Sequence, residues 1–186
     1  MCNMLLSFER DYSSFFKRPR YIAMSEAKSF YVGFKPYLSM LWNNLVKQYI
    51  ANSAVSLGFS ADQCNRVLAH MEGFFEKVKV FNDTFVENQL LTEKGYLDSI
   101  LNAVDPAVSL DEEQRRAVIT DEDYCLLVAG AGAGKTTTMA AKVKYLVDKL
   151  RVPPEDIIVI SYTSKAIDEL RERINRRLKI RQHDRG

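Results

Sequence analysis

The ten residues from Ala129 to Thr138, AGAGAGKTTT, combine glycines, a lysine and hydroxyls at a spacing suited to holding a polyphosphate. Gly130, Gly132 and Gly134 can bring the backbone close to a ligand with no Cβ in the way. With Ala129 and Ala133 they would present amides at a helix start, where the dipole favours an anion. Lys135 is placed to reach β- and γ-phosphates, Thr136 to hold Mg²⁺ through its hydroxyl, and Thr137 to add a weaker phosphate contact. The strict pattern begins with glycine, and here that position is Ala129. A glycine-rich turn that binds nothing is the competing reading. The flanks and the Gly-Lys-Thr ending argue against it.

Those flanks are the elements that must position the loop. Tyr124 to Val128 is short and apolar, as a buried parallel strand over 124–129 would be, with Cys125 inside it as core. After the loop, Met139, Val143, Leu146, Val147 and Leu150 recur at helical spacing, predicting a helix over about 134–150. Val152-Pro153-Pro154 breaks that helix, and Ile157 to Ile160 reads as a second buried strand. Thr163 or Ser164 then caps a helix running to about Ile180. Upstream, Ser109 can cap a short helix, with Asp111 and Glu112 favourably placed for its dipole. The fold class expected for 109–186 is therefore α/β, one βαβ unit and a further helix that begin a parallel sheet without completing it.

Residues 1–108 differ in composition. They hold 17 of the 20 aromatic residues and read as helices. Pro36 opens a stripe of Leu38, Leu41, Trp42, Leu45, Tyr49 and Ile50. A boundary near Leu57-Gly58-Phe59 precedes a capping box of Ser60 with Gln63. Val67, Met71, Phe74, Val78, Phe81 and Phe85 continue with helical spacing, and a further helix is expected over Asn88 to Asn102, either separate from the last or continuous with it. Aromatics in such stripes form cores far more often than cofactor sites. This half is expected to be a helical accessory region with no visible chemistry.

Bulk properties narrow the class without choosing a function. The 186 residues fit one large domain or two small ones, and 47% hydrophobic residues exclude a chain disordered throughout. Net charge is +2, but residues 161–186 carry eight Lys or Arg against four acids, a local balance of +4. That stretch suits either a solvated helix face or contacts to a phosphate backbone. Three widely spaced cysteines suggest neither a disulfide framework nor a metal cluster. No apolar run approaches the roughly 20 residues that span a bilayer, so no membrane and a cytoplasmic location are expected.

Three segments line up in order: Leu110 to Val118 around Gln114, the AxxGxGKT loop, and Ile160 to Ile174. Together they resemble the N-terminal motor segment of UvrD/Rep-like superfamily 1 DNA helicases, particularly the helicase IV-like branch. The alanine at position 129 is what that family uses. Upstream, where this branch often carries a helical extension, the resemblance is only suggestive. It implies the first part of a RecA-like P-loop domain, ATP and Mg²⁺ as cofactors, and single-stranded or partly duplex DNA as partner. It implies that Gln114 reads adenine, for which a carboxamide that donates and accepts is suited. It implies further that Tyr162, Thr163, Ser164 and Lys165 contact single-stranded DNA, with Tyr162 as a stacking face. Arg173 would support the fold or a phosphate contact.

Hydrolysis needs a Mg²⁺-holding carboxylate, a water-positioning group and an arginine finger besides the cradle. The dipeptides Asp111-Glu112 and Asp121-Glu122 precede the loop, Glu155-Asp156 precedes a strand, and Asp168-Glu169 falls within a helix. None follows a post-loop strand. The expectation is the front end of a helicase with 3′-to-5′ polarity implied by the resemblance alone, in which this chain binds nucleotide weakly and turns over negligibly. Two alternatives compete: another P-loop protein such as a small kinase or AAA-type ATPase, and a non-catalytic interaction module docking through its aromatic half. The first must treat Gln114 and the 162–174 segment as coincidence.

Overall fold

A computed structural model describes residues 2–37, 43, 45, 46, 48, 49, 52, 61–101, 109–130 and 132–172. Helices dominate these residues. Their order is α1 (Cys2–Phe15), α2 (Met24–Val32), α3 (Ala61–Glu72), α4 (Phe74–Thr92), α5 (Lys94–Ser99), α6 (Glu112–Ile119), α7 (Lys135–Asp148) and α8 (Ser164–Glu172). A single 3₁₀ turn at Pro154–Asp156 lies between α7 and α8. The chain divides into two compact units, 1–85 and 86–186, with the division inside α4. None of the described helices is long and apolar enough to cross a membrane.

The aromatic stripe of the first unit is core. Phe8, Val67 and Met71 form one buried cluster; Phe15, Ile22, Ala27, Phe74 and Val78 form a second. Tyr12, Phe30 and Tyr31 pack against both clusters. Rings meet tilted or edge-on in most of these contacts, as their quadrupoles favour. Gly73 separates α3 from α4, so the spacing of Val67, Met71, Phe74 and Val78 continues across two helices. The buried side chain of Asn82 spans a gap in helix pairing, accepting from the Ile22 amide at 2.9 Å and donating to the Ile22 carbonyl at 2.8 Å. Leu45 and Tyr49, expected on an apolar stripe, are exposed. The other members of that stripe, and the boundary at 57–60, lie outside the described residues.

In the second unit α6 packs on α7, and α7 touches α8. The helix expected from Asn88 is continuous with the preceding one as far as Thr92, as the end of α4, and the short α5 follows after Glu93; Asn102 lies outside the described residues. Helix α7 buries Ala140, Ala141, Val143 and Tyr145, whereas Met139 and Leu150 of the expected stripe are exposed. Val143 of the expected stripe is among the buried residues, and Leu146 and Val147 are half-buried. Arg151, at φ 59°, turns the chain out of the helix just before the two prolines.

The two segments expected as buried strands differ most from expectation. No strand pairing is present among the described residues, and 124–130 and 157–161 run as non-helical chain. Tyr124, Leu126 and Val128 are 85% exposed or more, and Ile158 and Ile160 are each 83% exposed. Cys125, expected in the core, is exposed too. Alternate residues Leu127, Ala129, Ile157 and Val159 are partly covered, which is the two-residue rhythm of a pleated chain covered on one side. A parallel strand is buried only between neighbouring strands and helices on both faces. Those neighbours are not among the described residues.

Candidate functional site

Helix α6 begins with a capping box. Asp111 Oδ1 accepts from the Gln114 amide at 2.8 Å, and Gln114 Oε1 accepts from the Asp111 amide at 3.1 Å. Asp111 therefore takes the cap position expected of Ser109, because Gln114 three residues on can complete the reciprocal pair. Gln114 Nε2 donates to the carbonyl of Ala133 at 3.1 Å, which joins α6 to the glycine-rich loop across 19 residues of sequence. A carboxamide has two donor hydrogens and two acceptor lone pairs. One of each is used here, so one of each is left on a group whose orientation is already fixed.

The loop is shaped by two of its glycines. Gly132 and Gly134 have φ of 77° and 75°, in the left-handed region that favours glycine. Gly134 is also crowded, since a Cβ there would stand 2.9 Å from Gln114 Nε2. Gly130 has neither constraint: its φ is not positive, and a Cβ would meet nothing within 4 Å. The positive φ at Gly134 directs the chain into α7, whose first amides are free of intrahelical partners.

Lys135 is exposed and folds back on the loop, donating from Nζ to the carbonyls of Ala129 at 2.9 Å and Gly130 at 2.6 Å. The three threonines that follow are not equivalent. Thr138 is buried and donates to the Gly134 carbonyl at 3.1 Å, so it is committed to the helix. Thr137 has a partner of its own. The Thr136 hydroxyl, half-buried at the second position of α7, has none among the described residues. It alone of the three is left free to take a ligand, as an oxygen donor to a hard cation must be.

Ionic ties hold α6 in place on its remaining sides. Arg115 pairs with Asp98 at 2.6 Å and donates to the Leu110 carbonyl at 2.8 Å. Arg116 pairs with Glu87 at 2.6 Å and Glu112 at 2.9 Å, contacts that raise its pKa. At the far end Lys142 of α7 donates to the carbonyls of Val118 at 2.9 Å and Thr120 at 2.6 Å. Burial lowers the Lys142 pKa, opposed by the charge of Asp121. Sequence reading did not single out Asp111 as the cap or Lys142. The Asp111-x-x-Gln114 spacing was the available signal for the first. A lysine at an otherwise ordinary helix position gives none for the second.

Tyr162, Thr163, Ser164 and Lys165 are all exposed, Tyr162 completely, along the approach to α8 and through its first two residues. Leu170 anchors the helix below them. Arg173 and Ile174, and the basic stretch beyond, lie outside the described residues. Among the described residues no cluster of three or more His, Cys, Asp or Glu is arranged for a metal.

Residues 110–185 match the family model described as the UvrD/REP helicase N-terminal domain. This segment is therefore similar to that domain, whereas residues 1–109 lie outside the match. The ATP-dependent DNA helicase UvrD1 of Mycobacterium leprae is 39% identical over 80 residues, covering 43% of this chain and 10% of the relative. The ATP-dependent DNA helicase srs2 of Schizosaccharomyces pombe is 42% identical over 65 residues, 35% of this chain and 7% of that protein. The ATP-dependent DNA helicase PcrA of Staphylococcus aureus is 39% identical over 67 residues, 36% of this chain and 9% of its own length. The chain thus spans a tenth or less of the length of these relatives. No solved structure matches it. The UvrD/REP match takes in Gln114, the glycine-rich loop and the 162–165 segment together.

Proposed function

We propose that this chain is the N-terminal part of an ATP-dependent DNA helicase or translocase, which couples ATP hydrolysis to movement on single-stranded DNA and to duplex unwinding. The observation that carries the reading is the junction of Gln114 with the glycine-rich loop. Two sequence-distant features that the family resemblance assigns to one nucleotide are in hydrogen-bond contact.

On this reading the loop is a phosphate-binding P-loop. The amides of Gly130, Gly132, Ala133, Gly134, Lys135 and Thr136 and the start of α7 receive the phosphates, and Ala129 ends the strand that leads into it. Thr137 sits beside them as a secondary contact. Lys135 exchanges its two loop carbonyls for phosphate oxygens, so nucleotide entry replaces neutral partners with a charge-assisted one. The free Thr136 hydroxyl would hold Mg²⁺, whose charge neutralises the triphosphate and its leaving group. Gln114 offers its remaining donor and acceptor to the adenine edge. Tyr162 supplies a stacking face for a base, and Thr163, Ser164 and Lys165 supply phosphate contacts.

The domain plan that goes with it is a helical accessory region over 1–108 and the beginning of a RecA-like parallel-sheet domain over 109–186. The alternating exposure of 126–129 and 157–160 supports this, because it is what strands lacking their sheet neighbours would display. None of the acidic dipeptides of this sequence stands at the end of a strand after the loop. The 186-residue chain alone therefore binds nucleotide weakly and has negligible turnover.

Calorimetric titration of Mg·ADP into the chain tests this reading. Binding is expected, weakened by about tenfold or more in Lys135→Ala, the scale of one charge-assisted contact. Tyr162→Ala should weaken single-stranded DNA binding by about 5- to 100-fold, the range for one lost stacking contact. No detectable binding of Mg·ADP overturns the nucleotide reading. Vigorous DNA-stimulated ATP hydrolysis by the chain, abolished by Lys135→Ala, overturns the proposal that its turnover is negligible.

A further inference from the structure

We propose that Lys142 is a positioning residue: by clamping the C-terminal end of α6 to α7 it holds Gln114 against the glycine-rich loop, and so sets the preference for adenine. The inference rests on the reading of Gln114 given above and adds the group that keeps it in place.

Helix α6 has eight residues, too few to persist by its own propensity in water. Its placement must come from ties to its surroundings. At the N-terminal end the capping box uses Gln114 itself, so it orients the side chain without fixing where the helix sits. The Arg115–Asp98 and Arg116–Glu87 pairs each involve a partner about half exposed, and pairs of that kind contribute about 1 kcal/mol or less.

The Lys142 tie is of another kind. Its ammonium is largely withdrawn from water and spends two of its three donors on carbonyls at the end of α6, one of them in the last turn. A cation at that end also meets the negative pole of the helix dipole. The aromatic ring of Tyr145 lies 5.8 Å from Nζ on one side, and Asp121 supplies the opposing charge. Helix α7 thus grips α6 at both ends. Its N-terminal approach, through Ala133, receives Gln114, and Lys142 holds the opposite end. Lys142 stands seven residues after Lys135, two turns on, hence on nearly the same face of α7 and about 10 Å along it. Without Lys142 the carbonyls of Val118 and Thr120 lose their partner, and the end of α6 is held only by the burial of Val118 and Ile119, which fixes its depth but not its register on α7. Gln114 then keeps its capping box but loses its registration with the loop.

The test compares the 186-residue chain with Lys142→Met, Lys142→Arg and Gln114→Ala. Dissociation constants are measured for Mg·ADP, Mg·GDP and magnesium pyrophosphate, with amide hydrogen exchange followed over 112–120. Lys142→Met should lower the ADP-over-GDP preference by about tenfold, as one lost hydrogen-bonded contact would. It should leave pyrophosphate affinity unchanged and speed exchange in α6. Lys142→Arg, which retains the charge and donors, should restore both. Loss of pyrophosphate affinity in parallel with ADP would mean a merely structural role and overturns the proposal. So does an unchanged exchange rate in α6. An absent adenine preference in the parent chain and in Gln114→Ala alike sinks the adenine reading, and with it the selectivity claimed for Lys142. The exchange data then separately decide the clamp.

Discussion

Substituting the three loop glycines one at a time separates strain from crowding. Gly134→Ala places a Cβ in the left-handed region, which costs about 1–2 kcal/mol. It also sets that carbon 2.9 Å from Gln114 Nε2. The glutamine is flexible and can withdraw, but only by giving up its bond to the Ala133 carbonyl, a further loss of about 1 kcal/mol. The total is about 2–3 kcal/mol. Gly132→Ala meets nothing within 4 Å and bears only the strain, about 1–2 kcal/mol. Gly130→Ala bears neither and should fall within about 0.5 kcal/mol of the parent. Urea unfolding followed by circular dichroism gives the three differences, and the expected order of cost is 134, then 132, then 130. For a unit of about 100 residues each kcal/mol corresponds to about 4–8 °C in melting temperature. Equal losses at 130 and 134, or none at 134, would refute the claim that this loop geometry is held in solution.

Two further outcomes follow from other parts of the molecule. Asn82→Ala removes the partner of both backbone groups of buried Ile22 and should cost about 2–5 kcal/mol, read as an earlier urea midpoint; a loss below about 1 kcal/mol would mean water replaces the amide. Tyr96 has its pKa raised by burial and by Asp148, whose Oδ2 accepts a hydrogen bond from its hydroxyl at 3.1 Å, and burial raises Tyr145 as well. The unfolded chain releases those protons near pH 10 while the folded chain retains them, so their contribution is intact below about pH 10 and declines as pH rises from there toward the folded values. Unfolding free energy measured from pH 9 to 11.5 should fall less steeply in Tyr96→Phe, and identical slopes would remove Tyr96 as the cause.

The turn of the glycine-rich loop into a helix was legible because the information is local: a glycine needing positive φ, a lysine and a hydroxyl at a helix start declare themselves within four residues. The Asp111-x-x-Gln114 cap is equally local, but Ser109 was read as the cap instead, and Gln114 drew notice only through the family resemblance. The aromatic core was legible from period alone, since Val67, Met71, Phe74 and Val78 keep their spacing through the break at Gly73. The inward face of α7 was legible in part: Val143 of the stripe is buried and Leu146 and Val147 are half-buried, whereas Met139 and Leu150 are exposed and the stripe missed Ala140, Ala141 and Tyr145. Cys125 was misplaced because an apolar run encodes a need for cover, not the presence of a neighbour that provides it. Lys142 was invisible because a lysine within a helix has the same signature whether it is solvated or bound to carbonyls on another element.

The bare faces of 124–128 and 158–160 bear on how this protein behaves at concentration. Each segment presents side chains that water solvates poorly beside a row of amides and carbonyls without backbone partners among the described residues. An unpaired, flat, apolar edge is a template for any other extended chain, including another copy of itself. Soluble handling of the chain then depends on how dilute it is kept, and the first association to expect is edge-to-edge β-pairing. Charge placed on the open rhythm, for example lysine at Leu126 and Ile158, would oppose that pairing while leaving the covered alternate residues intact.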